Sequence, residues 1–232
     1  MAATPLDNPI WHSLTGPHAR FAMGQGRARH YLRDFAPFSA IAEPTPAAYA
    51  DLALGLPDDT EARLFRPENE AVPAGWEAIS ARPLIQMTLA EEVVPQPLSG
   101  ESRIIPLGPS DVPEMLALIE IAQPGPFCVR TIELGTYVGV RDAKTGRLLA
   151  MGGERLCLER HVEVSAIAVH PEARGQGLGA SITAHLARSV LARNCLPFLH
   201  VFPDNPARAL YVRLGFLERA QLWVLLRRPV RR

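Results

Sequence analysis

The stretch from Val162 to Gly179, which reads VEVSAIAVHPEARGQGLG, constrains the fold of this chain most strongly. Its first half has β-branched residues with small residues between them and is long enough for a strand that is buried on both faces; Pro171 ends it. A loop with three glycines follows. In the Ala-rich sequence after the loop, apolar residues recur at the four-residue spacing of an amphipathic helix, namely Ile182, Leu186 and Val190. The stretch therefore predicts a strand, a glycine-rich loop and a helix.

The loop, Arg174–Gly179, is suited to bind an anion. The first amides of a helix have no partner within the helix and lie at the positive end of its dipole, and glycines let the backbone approach a phosphate without interference from Cβ. The glycine spacing is GxGxG, which differs from the GxGxxG of a dinucleotide fingerprint, and the Gly-Lys-Ser/Thr ending of a P-loop is missing. The loop is therefore interpreted as a phosphate cradle of another kind.

Two separated motifs resemble one known family. The first is AVHPEARGQGLG at Ala168–Gly179, and the second is NPARALYVRLGF at Asn205–Phe216, after a predicted helix and strand. In order and spacing they resemble the GNAT superfamily of acyl-coenzyme A-dependent N-acetyltransferases, over roughly residues 103–226. The resemblance implies an α/β fold with a mixed sheet whose central strands splay apart. It also implies an enzyme that transfers an acetyl group from acetyl-CoA to a primary amine.

The order of elements predicts two domains, 1–98 and 99–232. The second has the succession of elements of one GNAT domain and is expected to end in a hairpin over 216–226. The first contains twelve of the 22 prolines, so its elements must be short. The sequence of this part predicts a smaller α/β domain with a hairpin around Gly24–Gly26, a helix from Pro46 and short strands. Two of the strands are predicted at 76–80 and 84–89. Whether this domain is a degenerate relative of the second one is left open.

The resemblance also implies a set of cofactor-binding residues. In the GNAT fold, amides after a bulge in the central strand lose their sheet partners and bind the pantetheine arm. Those amides belong here to Ile167, Ala168 and Val169. The pyrophosphate is expected on the loop amides, with added charge from its arginine: Arg174, Gly175, Gln176, Gly177, Leu178 and Gly179. Asn205 is a further candidate, although it lies six residues before Tyr211 where the family pattern has seven, and Asp204 stands at the seventh position.

Two residues are candidates for the chemical step. Tyr211, in the LYVRLGF ending of the second motif, is expected near the thioester sulfur, where a phenol is a credible acid for the departing thiolate. Glu163, six residues before Val169 on the central strand, matches the glutamate base of the histone-acetylating branch. The alternatives are that Tyr211 is a core tyrosine, that Glu163 is an ordinary strand carboxylate, and that water takes the proton of the amine.

Composition excludes several other classes of function. The chain has 232 residues and no net charge, and no run of about 18 apolar residues could span a membrane. The start of the chain lacks the features of a signal peptide, so a cytoplasmic location is expected. Its three cysteines and seven histidines have no metal-ligand spacing, so no metal is predicted. The basic residues are spread, and no nucleic-acid surface is expected.

The identity of the acceptor stays open at this stage, between a small-molecule amine and a protein N-terminus. The loop 123–130 and the first domain are expected to determine it. Residues 1–100 have seven Arg against twelve Asp and Glu, which predicts an acidic wall that attracts a cationic amine. The alternative is that this half only stabilises the fold or forms a homodimer. The rival function is a non-catalytic acyl-CoA sensor or a protein that binds a partner.

Overall fold

The computed structural model describes residues 4–231. Within that range the chain forms eleven strands: β1 (Ala22–Met23), β2 (Ala28–Tyr31), β3 (Ser39–Ile41), β4 (Ala62–Arg66), β5 (Trp76–Leu89), β6 (Ile104–Pro106), β7 (Tyr137–Arg141), β8 (Leu148–Cys157), β9 (His161–Val169), β10 (Leu196–Val201) and β11 (Phe216–Pro229). It also forms five α-helices: α1 (Pro9–Leu14), α2 (Pro46–Gly55), α3 (Val112–Ala122), α4 (Leu178–Leu191) and α5 (Ala207–Arg213). None of the described helices is long and apolar enough to cross a bilayer.

Eight strands form one mixed sheet in the order β4-β11-β5-β10-β9-β8-β7-β6. Strands β9 and β10 are parallel because α4 connects them across one face, and the other neighbours are antiparallel. Strands β1, β2 and β3 form a separate small antiparallel sheet. The predicted α/β fold with a mixed sheet is confirmed.

Helices α4 and α5 cover one face of the large sheet, and the N-terminal segment covers the opposite face. Along β10, Leu199 packs with residues of α4 and α5, whereas its neighbour Phe198 packs with Ile10 and Leu14 of α1. Successive side chains of a strand point to opposite faces. The core therefore has three layers, with α4 and α5 on one side of the sheet and the N-terminal segment on the other.

Strands from the first hundred residues complete the same sheet as those of the second half. Strand β5 pairs with β11 along its whole length, and its residues Ile85–Thr88 also pair with β10. Strand β4 pairs with the outer side of β11. The predicted boundary between residues 98 and 99 therefore does not separate two sheets. That residues 1–98 and 99–232 fold independently stays a prediction.

The end of the chain differs from the predicted hairpin. Residues 216–229 form one strand, β11, whose antiparallel neighbour is β5 from the other half of the chain. Instead of a turn, this strand has a β-bulge between Glu218 and Ala220. There, Arg219 turns inward and donates to Gln86 Oε1 (2.8 Å) and to Asp7 Oδ1 (2.6 Å).

Local signals in the first half predict its first hairpin and α2, whereas α1 and β3 were not predicted. The hairpin around Gly24–Gly26 is confirmed by the pairing of β1 with β2, and α2 begins at Pro46, where Thr45 Oγ1 accepts a hydrogen bond from the amide of Ala48 (3.2 Å). The two strands predicted at 76–80 and 84–89 are one strand, β5. Pro83 is tolerated within it because β5 has only β11 as a neighbour at that point.

Candidate functional site

A fork in the middle of the large sheet opens between β9 and β10. The two strands pair only from Leu196 opposite His161 to Phe198 opposite Glu163. Beyond that point, β10 continues along β5 and β9 continues along β8. A bulge at Ala166, which has a φ of 53°, shifts the register between β8 and β9. The second half of β9 therefore has one edge without a strand partner.

The amides of Ile167 and Val169 point into this fork. His170 N–H donates to Leu149 O (2.8 Å) on the β8 side, and amides alternate in direction along an antiparallel ladder. The amides of Ile167 and Val169 therefore point away from β8, whereas the amide of Ala168 points towards it. Of the three predicted pantetheine-binding amides, the geometry brings two to the open edge.

The loop after β9 has a run of free amides. From Gly175 to Ala180, no backbone N–H donates to another described residue, and Ser181 N–H makes the first helical bond, to Gly177 O (3.0 Å). Gly175 (φ 79°) and Gly177 (φ 74°) adopt left-handed conformations that favour glycine. A Cβ at either position would have no protein atom within 4 Å, so open space faces these glycines. The predicted loop thus has the free donors and the access that an anion requires.

Tyr211 lies on α5 at the wall of the cavity that begins at the fork. Its ring packs edge-on against Phe216, with the ring centroids 6.3 Å apart, and 9% of the residue is exposed. Burial raises the pKa of Tyr211 to about 12, so its hydroxyl stays protonated at neutral pH. No described residue hydrogen-bonds to that hydroxyl, which is therefore available to a ligand.

Asn205 stands at the start of α5 and lines the same cavity as Tyr211. Its Oδ1 accepts a hydrogen bond from the amide of Ala207 (2.9 Å), so this atom caps the helix. Asp204, at the position where the family pattern has its asparagine, is on the surface and lies 4.0 Å from Arg82.

Glu163 is completely buried and paired, which gives it an environment unlike that of an accessible base. Arg155 donates to both of its oxygens, at 3.0 Å and 2.6 Å, and His200 Nδ1 lies 2.7 Å from Oε1. Burial alone would raise the pKa of Glu163, but the charge of Arg155 and the hydrogen bond from His200 outweigh it and lower the pKa to about 2. A carboxylate with this pKa is a weak proton acceptor, and its side chain does not line the cavity.

His200 and Gln86 extend this buried pair into a network that the sequence did not predict. Gln86 Nε2 donates to Leu6 O (2.9 Å) and lies 3.1 Å from His200 Nε2. Because an amide nitrogen is only a donor, His200 Nε2 accepts and Nδ1 carries the proton towards Glu163. The residues lie on four separate elements, so no sequence spacing could have indicated the network.

One cavity of about 520 Å³ joins the parts of the site, a volume within the ~300–1,000 Å³ typical of sites for small ligands. It brings together six of the predicted site residues, Ile167, Val169, Arg174, Gly179, Asn205 and Tyr211. Gly175, Gln176 and Gly177 are exposed in the loop beside it, whereas the side chains of Ala168 and Leu178 are buried in the core. The loop predicted to face the acceptor also contributes, through Gln123–Pro126.

The predicted acidic wall is absent from the described lining of this cavity. The first half of the chain contributes Arg63 and Arg82, together with the aromatic rings of Phe38 and Phe65. No Asp or Glu of the described residues lines the cavity. Within residues 4–231, no group of three or more His, Cys, Asp or Glu side chains could hold a metal ion either.

Comparisons with known proteins agree with the fork, the loop and the second motif. Residues 109–216 match the model of the acetyltransferase (GNAT) family. A crystal structure of a protein assigned to the GNAT family of acetyltransferases, from Novosphingobium aromaticivorans DSM 12444, is 38% identical and superimposes with a TM-score of 0.88, covering 98% of this chain and 99% of that one. No curated protein is significantly similar in sequence.

More distant structures share the fold. A GCN5-related N-acetyltransferase from Kribbella flavida is 22% identical, with a TM-score of 0.62 over 98% of this chain and 97% of that one. Another from Sphaerobacter thermophilus is 13% identical, with a TM-score of 0.51 over 89% and 78%. The splayed mixed sheet, the glycine-rich loop at the fork and these similarities identify the protein as an acyltransferase. The chain belongs to the GNAT acetyltransferase family, and the predicted resemblance is confirmed.

Proposed function

We propose that this protein transfers the acetyl group of acetyl-CoA to a primary amine, by direct attack in a ternary complex. The observation that carries the proposal is that one cavity is lined by Ile167 and Val169 at the fork, by Arg174 and Gly179 at the two ends of the glycine-rich loop, and by Tyr211. Acetyl-CoA would supply an activated acetyl thioester. The free amides of the loop fit its pyrophosphate, because helix N-terminal amides bind anions without further groups.

Backbone amides and a few side chains of the chain are proposed to bind the cofactor. The amides of Ile167 and Val169 are available to pair with the pantetheine amides as an added strand would. The loop from Arg174 to Gly179 is assigned to the pyrophosphate, and Asn205 to the same cofactor through the part of its side chain that does not cap α5. We also assign to the Val169 amide the polarisation of the thioester carbonyl.

Tyr211 is the proposed acid. Its hydroxyl is protonated at neutral pH because burial raises its pKa to about 12. In this role the hydroxyl donates its proton to the thiolate as the thiolate departs. For the other proton, that of the attacking amine, we favour water over Glu163, because Arg155 and His200 engage both carboxylate oxygens of Glu163.

The rival proposal is an acyl-CoA sensor that binds without turnover. Replacing Tyr211 by Phe keeps the ring and removes the hydroxyl, so we expect turnover to fall by about 10²-fold while the Kd for acetyl-CoA changes little. Thiol release from acetyl-CoA measures turnover on a panel of amines, and calorimetry measures Kd. Thiol release that no amine stimulates, with acetyl-CoA bound normally, would favour the sensor, and equal turnover in both proteins would leave Tyr211 as a core residue.

A cytoplasmic location is part of the proposal. Cys128, Cys157 and Cys195 are free thiols, as is usual in a reducing compartment. Homodimer formation and a protein N-terminus as acceptor stay predictions.

A further inference from the structure

A regular patch of six side chains forms the cavity wall that lies across from the cofactor loop. Strands β4, β11 and β5 contribute two cross-strand rows, one with Phe65, Val224 and Arg82 and the other with Arg63, Leu226 and Ser80. All six line the cavity. We call this the acceptor patch. Because it is built on paired strands, its side chains have fixed positions relative to one another.

The two arginines of the acceptor patch lack a strong partner. Arg63 is half-buried and makes no hydrogen bond or ion pair with a described residue, and desolvation lowers its pKa. Arg82 lies over the ring of Phe202, with Cζ 4.1 Å from the centroid, and its nearest carboxylate is that of the exposed Asp204, at 4.0 Å. Two weakly compensated cations therefore face the same space.

The other two arginines of the cavity are already accounted for. Arg155 is neutralised by its two hydrogen bonds to Glu163, and Arg174 belongs to the loop assigned to the pyrophosphate. No described carboxylate lines the cavity to balance Arg63 and Arg82. The net charge of the acceptor side is therefore positive, which disfavours a purely cationic amine there.

We infer that the acceptor is a primary amine that also carries a carboxylate, as an amino acid does, and that Arg63 and Arg82 bind this carboxylate. The inference rests on the proposed acetyl transfer. Arginine recognises carboxylates with paired, charge-assisted hydrogen bonds. The strand spacing of about 4.8 Å and rise of about 3.4 Å per residue put the two Cα atoms about 12 Å apart, so two extended side chains can reach one anion between them.

The rings around the patch favour an apolar or aromatic body on the acceptor. Phe65 contacts Phe38, with the centroids 5.2 Å apart, and stands edge-on to the ring of His200 at 4.9 Å. All three line the cavity. Apolar surface buried against such rings adds affinity without adding charge. An amino acid with an apolar or aromatic side chain matches both the charge and the walls.

Matched pairs of acceptors test this inference in the full-length protein. We would measure acetylated product by mass spectrometry for phenylalanine and leucine and for their α-carboxamides, and acetyl-CoA binding by calorimetry. The amides keep the side chain and lose the anion, and because the carboxamide also lowers the pKa of the amine, kcat/KM is compared per unprotonated amine. We expect kcat/KM for the acids to exceed that for the amides by about 10- to 100-fold, the range of a charge-assisted hydrogen bond.

Two variants locate the effect. Arg63→Gln and Arg82→Gln should each raise KM for the acids by about 10-fold or more while kcat changes little, because these side chains bind the acceptor and do not react. Arg82 is largely exposed, so its substitution leaves folding intact even where Arg63→Gln does not. Arg228→Gln is the control, since this exposed arginine on β11 does not line the cavity and should leave KM unchanged.

The outcomes separate the inference from the function on which it rests. Amides acetylated as well as the acids, or an Arg82→Gln variant with unchanged KM, would overturn the inference and leave acetyl transfer standing. Acetyl-CoA that binds while neither acids nor amides react would overturn the inference alone. A protein that does not bind acetyl-CoA would contradict the proposed function, and the inference with it.

Discussion

The two sides of the cavity, which we propose for the cofactor and for the acceptor and call the cofactor side and the acceptor side, are built in different ways. The cofactor side comes mainly from one continuous stretch, in which β9, the glycine-rich loop and α4 follow one another. The acceptor side is assembled from β4, β5 and β11, whose residues are up to about 160 positions apart in sequence. A local unit can be predicted from spacing and glycine positions. A surface made by pairing distant strands depends on register, which one sequence does not reveal.

The same difference explains why the predicted charge of the acceptor side was wrong. The count of seven Arg against twelve Asp and Glu in residues 1–100 describes the whole half and not the wall of the cavity. Its acidic residues are largely on the outer surface, as Asp58, Glu68 and Glu77 show. The strand positions that face the cavity carry Arg63 and Arg82 instead. Net charge by segment is therefore a poor guide to the charge of a site.

The largest effect is expected from removing the first half of the chain. A protein that begins at Ser99 loses β5 from between β10 and β11, and also the N-terminal residues that pack on Phe198. Three ladders of the large sheet (β4–β11, β11–β5 and β5–β10) and part of the core are lost together, so we expect no cooperative unfolding transition in urea and no acetyl-CoA binding. Adding residues 1–98 as a separate chain is the control that should restore both. A truncated protein that folds cooperatively and binds acetyl-CoA would show that the cofactor side is an independent domain.

A smaller effect on stability is expected from replacing Glu163, which is buried and does not line the cavity. Glu163→Gln leaves the buried guanidinium of Arg155 without a counter-charge, so the free energy of unfolding should fall by about 3–5 kcal/mol in urea titrations. Glu133→Gln is the matched control. Arg130 binds Glu133 with the same two-bond geometry on the surface, so its loss should change stability little. Equal effects of the two substitutions would contradict the buried role.

The pH dependence of stability gives a second readout of Glu163. Its pKa falls from a reference of 4.5 to about 2 on folding, so ionised Glu163 stabilises the protein above pH 4.5. That contribution is lost as the pH falls from 4.5 towards 2. In Glu163→Gln the loss of stability between pH 4.5 and 2 should therefore be shallower than in the wild type.

The sequence predicted the secondary structure of the proposed cofactor side closely. The strand, its end at Pro171, the loop and the helix all lie where the periodicity and the glycines indicate. For Tyr211 the spacing alone favoured a core tyrosine, and only the family resemblance indicated a role in the site. The bulge at Ala166 was expected from the resemblance alone, because no local signal marks an alanine for a positive φ.

The parts that could not be predicted are those that depend on partners far away in sequence. The pairing of β5 with β11 turned a predicted hairpin into one strand and two predicted strands into another. Glu163 was interpreted from its position on β9, but its environment is fixed by Arg155 and His200 on the neighbouring strands. Each of these contacts requires the strand order, which a single sequence leaves open.

The smallest expected effect belongs to the most direct test, which is a calorimetric titration with acetyl-CoA of the wild type and Gly177→Asp. The substitution places a carboxylate at the loop assigned to the pyrophosphate, at a φ of 74° that favours glycine, and no protein atom lies within 4 Å of the new Cβ. Gly75→Asp is the control, because Gly75 has a φ of 78° and equal free space but lies directly before β5 and not in the glycine-rich loop. The Gly75→Asp variant carries the same backbone strain and the same added charge.

We predict that wild type and Gly75→Asp bind acetyl-CoA alike and that Gly177→Asp binds about 100-fold more weakly, a difference of about 2.7 kcal/mol. Equal affinity in all three proteins would contradict the assignment of this loop to the cofactor.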